Sequence, residues 1–397
     1  MQIYNTTAKI QQNTLLNRGI IEIGGISIPQ VAMSNNKDEA IERSIMQVLY
    51  FSMSFLTPFI LLPLFNRKAL KSTGIVKNFK NSEKRIMEVS KKYLSGTAKE
   101  MEEGIKKTAK ELSAKDKNIE SDFQNILNRY TNKEELRLKL ISAHEKVFRN
   151  DYLTTTGMWV LTPWIATETT EKRTHRKGFS AGYKLKEDDI DEEKYKKSKK
   201  KKFGASIALS LLPALIFPKL IMKSIKSGHL KKHAQLFDYT NAMFMSKTIF
   251  AMMWLLTDYP NQVVQSRDNN ERKDRAIRTG AMIAMFFGGD FVMNNVLGKL
   301  SDKIFKTKVM DGNSLKSFKD IEKLTGKTLN KSKKAGLVIY WTSMVANCML
   351  LGFGLPAILN RMLKNNIQKE NALKQKNLNF INNERTPDVF KKFLIKN

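Results

Sequence analysis

The sequence predicts an all-α chain whose apolar helices embed in a membrane and carry a charged helical extramembrane domain. Three observations point there. About six apolar stretches recur along the 397 residues, the connections between them are crowded with lysine and arginine, and the longest connection has helical periodicity with no strand-like alternation.

Composition sets the frame. Lys and Arg number 69 against 38 Asp and Glu, a formal net charge of +31, while 42% of the residues are hydrophobic. Such a balance seeks an anionic partner, and nucleic acid and membrane headgroups are the two candidates. The single cysteine, Cys348, excludes an intramolecular disulfide framework. Four histidines, His144, His175, His229 and His233, are too scattered for a metal centre, and no cofactor is implied. Residues 1–30 lack a basic start leading into an apolar run, so targeting falls to an internal segment.

Taken in order, residues 1–44 read as a polar tail with one apolar patch, IIEIGGISIPQV. Residues 45–65 are 21 uncharged residues, enough to cross a hydrocarbon layer about 30 Å thick at 1.5 Å per residue. The 66–151 stretch reads as a charged cytoplasmic domain of three or four amphipathic helices, with Ile86, Val89, Tyr93 and Leu94 on one face. Thr131 and Glu134 form a capping box at its last helix. A short apolar segment, 152–167, precedes a linker, 168–202, that is acidic and then lysine-rich. Seven of the nine residues from Lys194 to Lys202 are lysine. The apolar segment 203–222 follows, then a candidate membrane hairpin at 239–298. A basic connector spans 299–334, with Ser317 and Asp320 capping a short helix and Gly326 in the left-handed conformation that stops it. An apolar segment at 335–360 and a basic tail at 361–397 complete the chain.

Charge in the connections bears on topology. Residues 1–44 balance four bases against four acids and 258–278 five against four, whereas 66–151 carries 21 bases and 13 acids. Basic and poor connections do not alternate as the positive-inside rule asks of six crossings. The sequence therefore suggests that 1–44 and 258–278 lie outside and the other connections in the cytoplasm. Residues 45–65 then cross once, 239–298 forms a crossing hairpin, and 152–167 and 203–218 lie at the interface or re-enter. Residues 335–360 turn back at Gly352, Gly354 and Pro356.

Within the hairpin, Lys247 and Asp290 fall at about the same depth, as do Asn241 and the Asn294/Asn295 pair. A charge in lipid costs roughly 2.5–3.5 kcal/mol. Matched rungs are thus expected, as a pair orienting two helices ahead of a proton or ion relay. Trp159, Trp164, Trp254 and Tyr259 suit an interfacial aromatic belt. Lys196, Lys197, Lys199, Lys200, Lys201 and Lys202 suit lipid phosphates at about 1 kcal/mol each.

No catalytic residue is expected. GFSAG at 178–182 resembles a nucleophile elbow but lacks the strand that must precede Ser180. HLKKH at 229–233 has zinc spacing without a third ligand, and GKT at 326–328 lacks the preceding glycine of a phosphate loop. The basic runs lack interleaved aromatics and belong to no nucleic-acid module. The expectation is a non-enzymatic structural or anchoring membrane component that binds anionic lipid and meets protein partners through 66–151. A transport component built round Lys247 and Asp290 is the alternative, and a soluble nucleic-acid binder a second one.

Overall fold

A computed structural model describes residues 2–13, 16–17, 19–75, 81–114, 118–181, 191–229 and 247–381. The protein is all-α, 85% helical. A two-stranded antiparallel ladder pairs Met310–Asp311 with Ser314–Leu315.

Long helical rods form the frame. Lys133–Thr174 and Glu192–Lys226 run antiparallel, and Lys37–Leu56 continues through Thr57–Leu61 into Leu62–Ser72 alongside the first. At one end Arg173 pairs with Asp38 at 2.9 Å and Lys199 with Glu168 and Glu171 at 2.7 Å. At the other end Lys146 donates to Ser72 and Arg137 to the Leu94 and Lys226 carbonyls. The small helices Asn81–Lys91, Ala98–Ser113 and Asn118–Asn128 pack at this second end, on a core of Ile86, Met101, Phe123, Leu140 and Phe148 that continues into Met222 and Met253. Asn269–Ala284 leads through Met285–Gly289 into Asp290–Phe305. Gly326–Cys348 leads through Met349–Gly354 into Leu355–Ile381. These two runs make a second layer.

Among the described residues two helices are long and apolar enough to cross a membrane, Glu192–Lys226 and Gly326–Leu373. The expectation of about six such segments is not met at the level of whole helices. Residues 152–167 and 203–218 do not re-enter: each lies inside one unbroken helix joining the two polar ends. Residues 335–360 do not turn back, because the helix continues past Gly354 into Leu355–Ile381. The lysine-rich part of 168–202 is helical, capped by Asp191, which accepts from the Lys194 amide. Its seven lysines are tolerated because the exposed ones stay solvated. The first 44 residues are no tail, since Gln2–Gln12 docks through Tyr4 on the Phe318 carbonyl and Gly19–Ser27 packs against Met349–Gly354.

Local capping follows the sequence in part. Ile86, Val89 and Leu94 are buried, and Ser317 accepts from the Asp320 amide. Gly326 is left-handed at φ +66° but does not stop the short helix, which ends at Glu322 with Lys323 as its cap, and instead opens Gly326–Cys348. Asn132, not Thr131, caps Lys133–Thr174: it is the extended residue directly before the first turn, and its Oδ1 accepts from the Glu134 and Glu135 amides. The capping box lies instead at Thr97 and Glu100.

Five π-helical stretches occur among the described residues, and four have a proline two residues past their last residue: Pro29, Pro63, Pro260 and Pro356. A proline ring inside a helix collides with the carbonyl four residues earlier. Those carbonyls belong to Gly25, Phe59, Leu256 and Gly352, each inside a π stretch. Widening the turn there accommodates the ring without breaking the rod. This is why Pro356 fails to stop its helix. The π stretches also bring backbones together, so that a side chain at Gly352 would strike the Gly25 carbonyl and lie 3.1 Å from Pro29. Gly352→Val is expected to lower the melting temperature by several degrees, consistent with overpacking costs of about 1–3 kcal/mol. Thermal denaturation followed by circular dichroism reads this directly.

Candidate functional site: two matched turns facing across a charged cavity

One order of elements occurs twice. A π stretch, a short helix with proline in its first turn, a tight break, a long helix, a second π stretch and a further helix run over Gly19–Ser72 and again over Trp254–Phe305. Identical residues stand 232 positions apart in the turns: Gln30 and Gln262, Val31 and Val263, Ser34 and Ser266, Glu39 and Glu271, Arg43 and Arg275. Their hydrogen bonds match too. Ser34 and Ser266 donate to the carbonyls of Gln30 and Gln262. Asn36 and Asp268 accept from the amides of Glu39 and Glu271, and those glutamates accept from the amides of Asn35 and Arg267 at 2.6 and 2.5 Å. Each unit is thus an Asx-capped helix whose third-residue glutamate reaches back, and each glutamate then pairs with the arginine one turn on.

The units meet at their charged turns. Arg267 forks between Glu42 at 2.7 Å and Glu271 at 2.9 Å, and Arg275 holds Glu271 at 2.6 Å. Arg278 pairs with Asp274 at 2.8 Å. All these side chains are buried or nearly so. Burial alone would raise the Glu271 carboxyl, but Arg267 and Arg275 hold it well below the usual carboxylate range. Burial first, then the neighbouring Arg278 guanidinium, lowers Arg43. Asp258 accepts from Tyr50 and Gln262, and burial pushes it up to about 6.

Between the units lies a cavity of about 190 Å³. Glu39, Glu42, Arg43, Glu271, Asp274, Arg275 and Arg278 form its charged wall, and Phe51, Trp159, Phe250, Trp254 and Met282 its apolar one. No group of three or more metal-ligating side chains occurs among the described residues.

The second feature is a reversed surface. On Glu192–Lys226 the buried face is Ser206, Ser210 and Ala214 along the first part of the apolar run, where Leu212, Leu215 and Ile216 are 59%, 52% and 52% exposed, and Pro218, Ile221, Met222 and Ile225 towards its end. Gly326–Cys348 repeats it in part, with Ser332, Gly336, Ser343 and Asn347 buried beside Ile339 and Met344, and with Val338 and Val345 exposed. Phe291, Val292, Val296, Ile304 and Phe305 extend the exposed apolar surface along a third helix.

Sequence-expected residues fall variously. Lys196, Lys197, Lys200 and Lys201 are exposed, but Lys199 turns inward to Glu168 and Glu171, and Lys202 donates to the Ser266 carbonyl at 2.5 Å. Trp159 is in the core against Phe250 and does not stand at an interface. Trp164 and Trp254 are half-buried on Phe203 and Phe250, and Tyr259 is half-buried at a helix start. Asn295 donates to the Asn313 carbonyl, and Asn294 is half-buried. Asn241 and the side chains of Lys247 and Asp290 lie outside the described residues, as do His233 and Gly182. Ser180 follows a helix and a turn, with its carbonyl bonded to Asn36. Sequence reasoning singled out Trp159 and Trp254 of the cavity lining, as interfacial aromatics, but the charged lining residues escaped it, although the repeated Gln-Val and Asn-Asn after each proline were there to find. No protein-family model, curated protein or solved structure matches the chain.

Proposed function

We propose that this chain is an integral membrane scaffold, held in the bilayer by its reversed helices and at anionic headgroups by its basic ends. The observation that supports it is the burial pattern of residues 206–216 in Glu192–Lys226. In water the large apolar side chains would turn inward. In lipid there is no such preference, and small or hydroxyl residues take the helix contacts so that backbones approach closely. Residues 203–222 are 20 residues, about 30 Å at 1.5 Å each, the thickness of the hydrocarbon core. Lys219, exposed near its end, can snorkel to the headgroups.

Because the lysine run and the 66–151 domain end opposite tips of this rod, the reading assigns them to opposite faces. The domain offers the surface for protein partners. Lys196, Lys197, Lys200 and Lys201 then engage lipid phosphate at the other interface.

Carbonate washing of isolated membranes tests the reading: the chain is expected in the pellet, and release into the supernatant sinks it. Leu212→Asp with Leu215→Asp adds two charges at exposed positions, each costing roughly 2.5–3.5 kcal/mol in lipid. The doubly substituted chain is expected to lose membrane retention. A variant retained as well as the unaltered protein would count equally against the reading.

A further inference from the structure

The cavity between the two matched turns has an unequal charge lining. Six carboxylates, from Glu22, Glu39, Glu42, Asp258, Glu271 and Asp274, face it against three guanidiniums, from Arg43, Arg275 and Arg278. Arg267, behind the wall, neutralises one more. The remaining excess is negative. Three of the acids are matched one to one by arginines four residues away on their own helices, Glu39 by Arg43, Glu271 by Arg275 and Asp274 by Arg278. Asp258 is different. The bonds it accepts come from the neutral Tyr50, Gln262 and Trp254 side chains; Arg275 acts on it through the field, bonded to Gln262 between them, and it makes no ion pair within 4 Å among the described residues.

Asp258 also ends an aromatic strip. Trp159 and Phe250 have ring centroids 6.0 Å apart, Phe250 and Trp254 5.5 Å, and Trp254 begins the turn of π-helix that ends at Asp258. All of these side chains line the cavity, with Tyr50 and Phe51 beside them. A carboxylate with no direct ion pair next to aromatic faces is the chemistry that receives an organic ammonium, through the ring quadrupoles and the charge together. A hydrated metal ion would find too few converging carboxylates, and an anion would meet a net negative wall. The volume, about 190 Å³, is a little above the roughly 150 Å³ cavity that takes a benzene ring, so the guest is small.

We propose that this cavity is a binding site for a small organic ammonium group, seated between Asp258 and the strip of Trp159, Phe250 and Trp254. The group could come as a free amine or as the headgroup of a lipid, and both present the same cation. The site does not depend on the membrane reading: a chain that washed off membranes would still contain it.

The test is titration of the purified full-length protein in detergent with choline chloride, read by calorimetry and by tryptophan fluorescence. Saturable choline binding is expected. Asp258→Asn and Trp254→Leu are each expected to weaken it at least tenfold while the helical signal is kept. Sodium phosphate at the same ionic strength is expected to give no saturable response. Dihexanoylphosphatidylcholine binding at least tenfold tighter than choline would assign the lipid source, and equal affinity the free amine. Absence of saturable choline binding to the unaltered protein overturns the proposal. So does saturation by phosphate alone, or unchanged choline affinity in a folded Asp258→Asn protein.

Discussion

Arg267→Met is expected to destabilise the protein by about 3–5 kcal/mol, the cost of breaking a buried ion pair from one side. Nη2 and Nη1 of Arg267 donate to Glu42 at 2.7 and 3.2 Å, while Nε and Nη2 reach Glu271 at 3.0 and 2.9 Å. Both acids are almost wholly buried. Methionine fills the volume of the stem but leaves Glu42 with no guanidinium, and Glu271 with Arg275 alone. Arg267→Lys retains the charge, yet one ammonium cannot fork to two carboxylates. Its loss should be intermediate. Chemical denaturation in detergent compares the three proteins, and a loss below about 1 kcal/mol for the methionine variant would show that the network does not hold the two turns together.

This network marks the limit of what the sequence made legible. Periodicity revealed the helices of 66–151 because one face of each is apolar and buried in an ordinary way, as Ile86, Val89 and Leu94 illustrate. The rods were harder. A proline reads locally as a stop, but whether it ends a helix depends on whether the preceding turn can widen, and neighbouring helices decide that. The 16-residue segments were judged too short because length was counted between charges. Lys199 and Lys202 in fact fold back onto Glu171 and the Ser266 carbonyl, and continuous helix runs through them. The residues 258–278 looked like a polar loop because pairing is invisible in one dimension. Three of the four acids and three of the five bases there resolve into Asp268 as a cap and Glu271 and Asp274 as partners of Arg267, Arg275 and Arg278, brought inward, while Arg272 and Lys273 stay exposed. The match between the two turns was legible in principle, in five identical residues at one offset. It is masked by lengths: the long helix has 20 residues in the first unit and 16 in the second.

Asp151→Asn is expected to stabilise the protein by up to about 4 kcal/mol at pH 8 and by almost nothing at pH 4. Asp151 lies just before the apolar segment 152–167, fully buried, and neither carboxyl oxygen has a hydrogen-bond partner among the described residues. Burial pushes its carboxyl up to about 7 from an ordinary value near 3.8. The folded chain therefore keeps a proton that the unfolded chain gives up. Stability is lost as pH rises from about 4 towards 7, at about 1.4 kcal/mol per pH step, and the loss is complete above 7. Asparagine has the shape of the protonated acid and no proton to lose. His144, on the same helix and bonded to Ser90 at 3.1 Å, acts in the opposite sense. Burial, and then Lys91, lowers it to about 3, so the folded chain refuses a proton that the unfolded chain takes below about 6.5. Its contribution is lost as pH falls through that window. Between about pH 4 and 6.5 the two groups oppose each other, and the unaltered protein should have a flat stability profile there. The Asp151→Asn protein should instead weaken steadily below pH 6.5, where His144 acts unopposed. Melting temperatures measured from pH 4 to 8 separate these cases, because groups common to both proteins cancel in the difference. A constant offset between the two curves would mean that Asp151 is ionised throughout and has found a counter-ion in the fold.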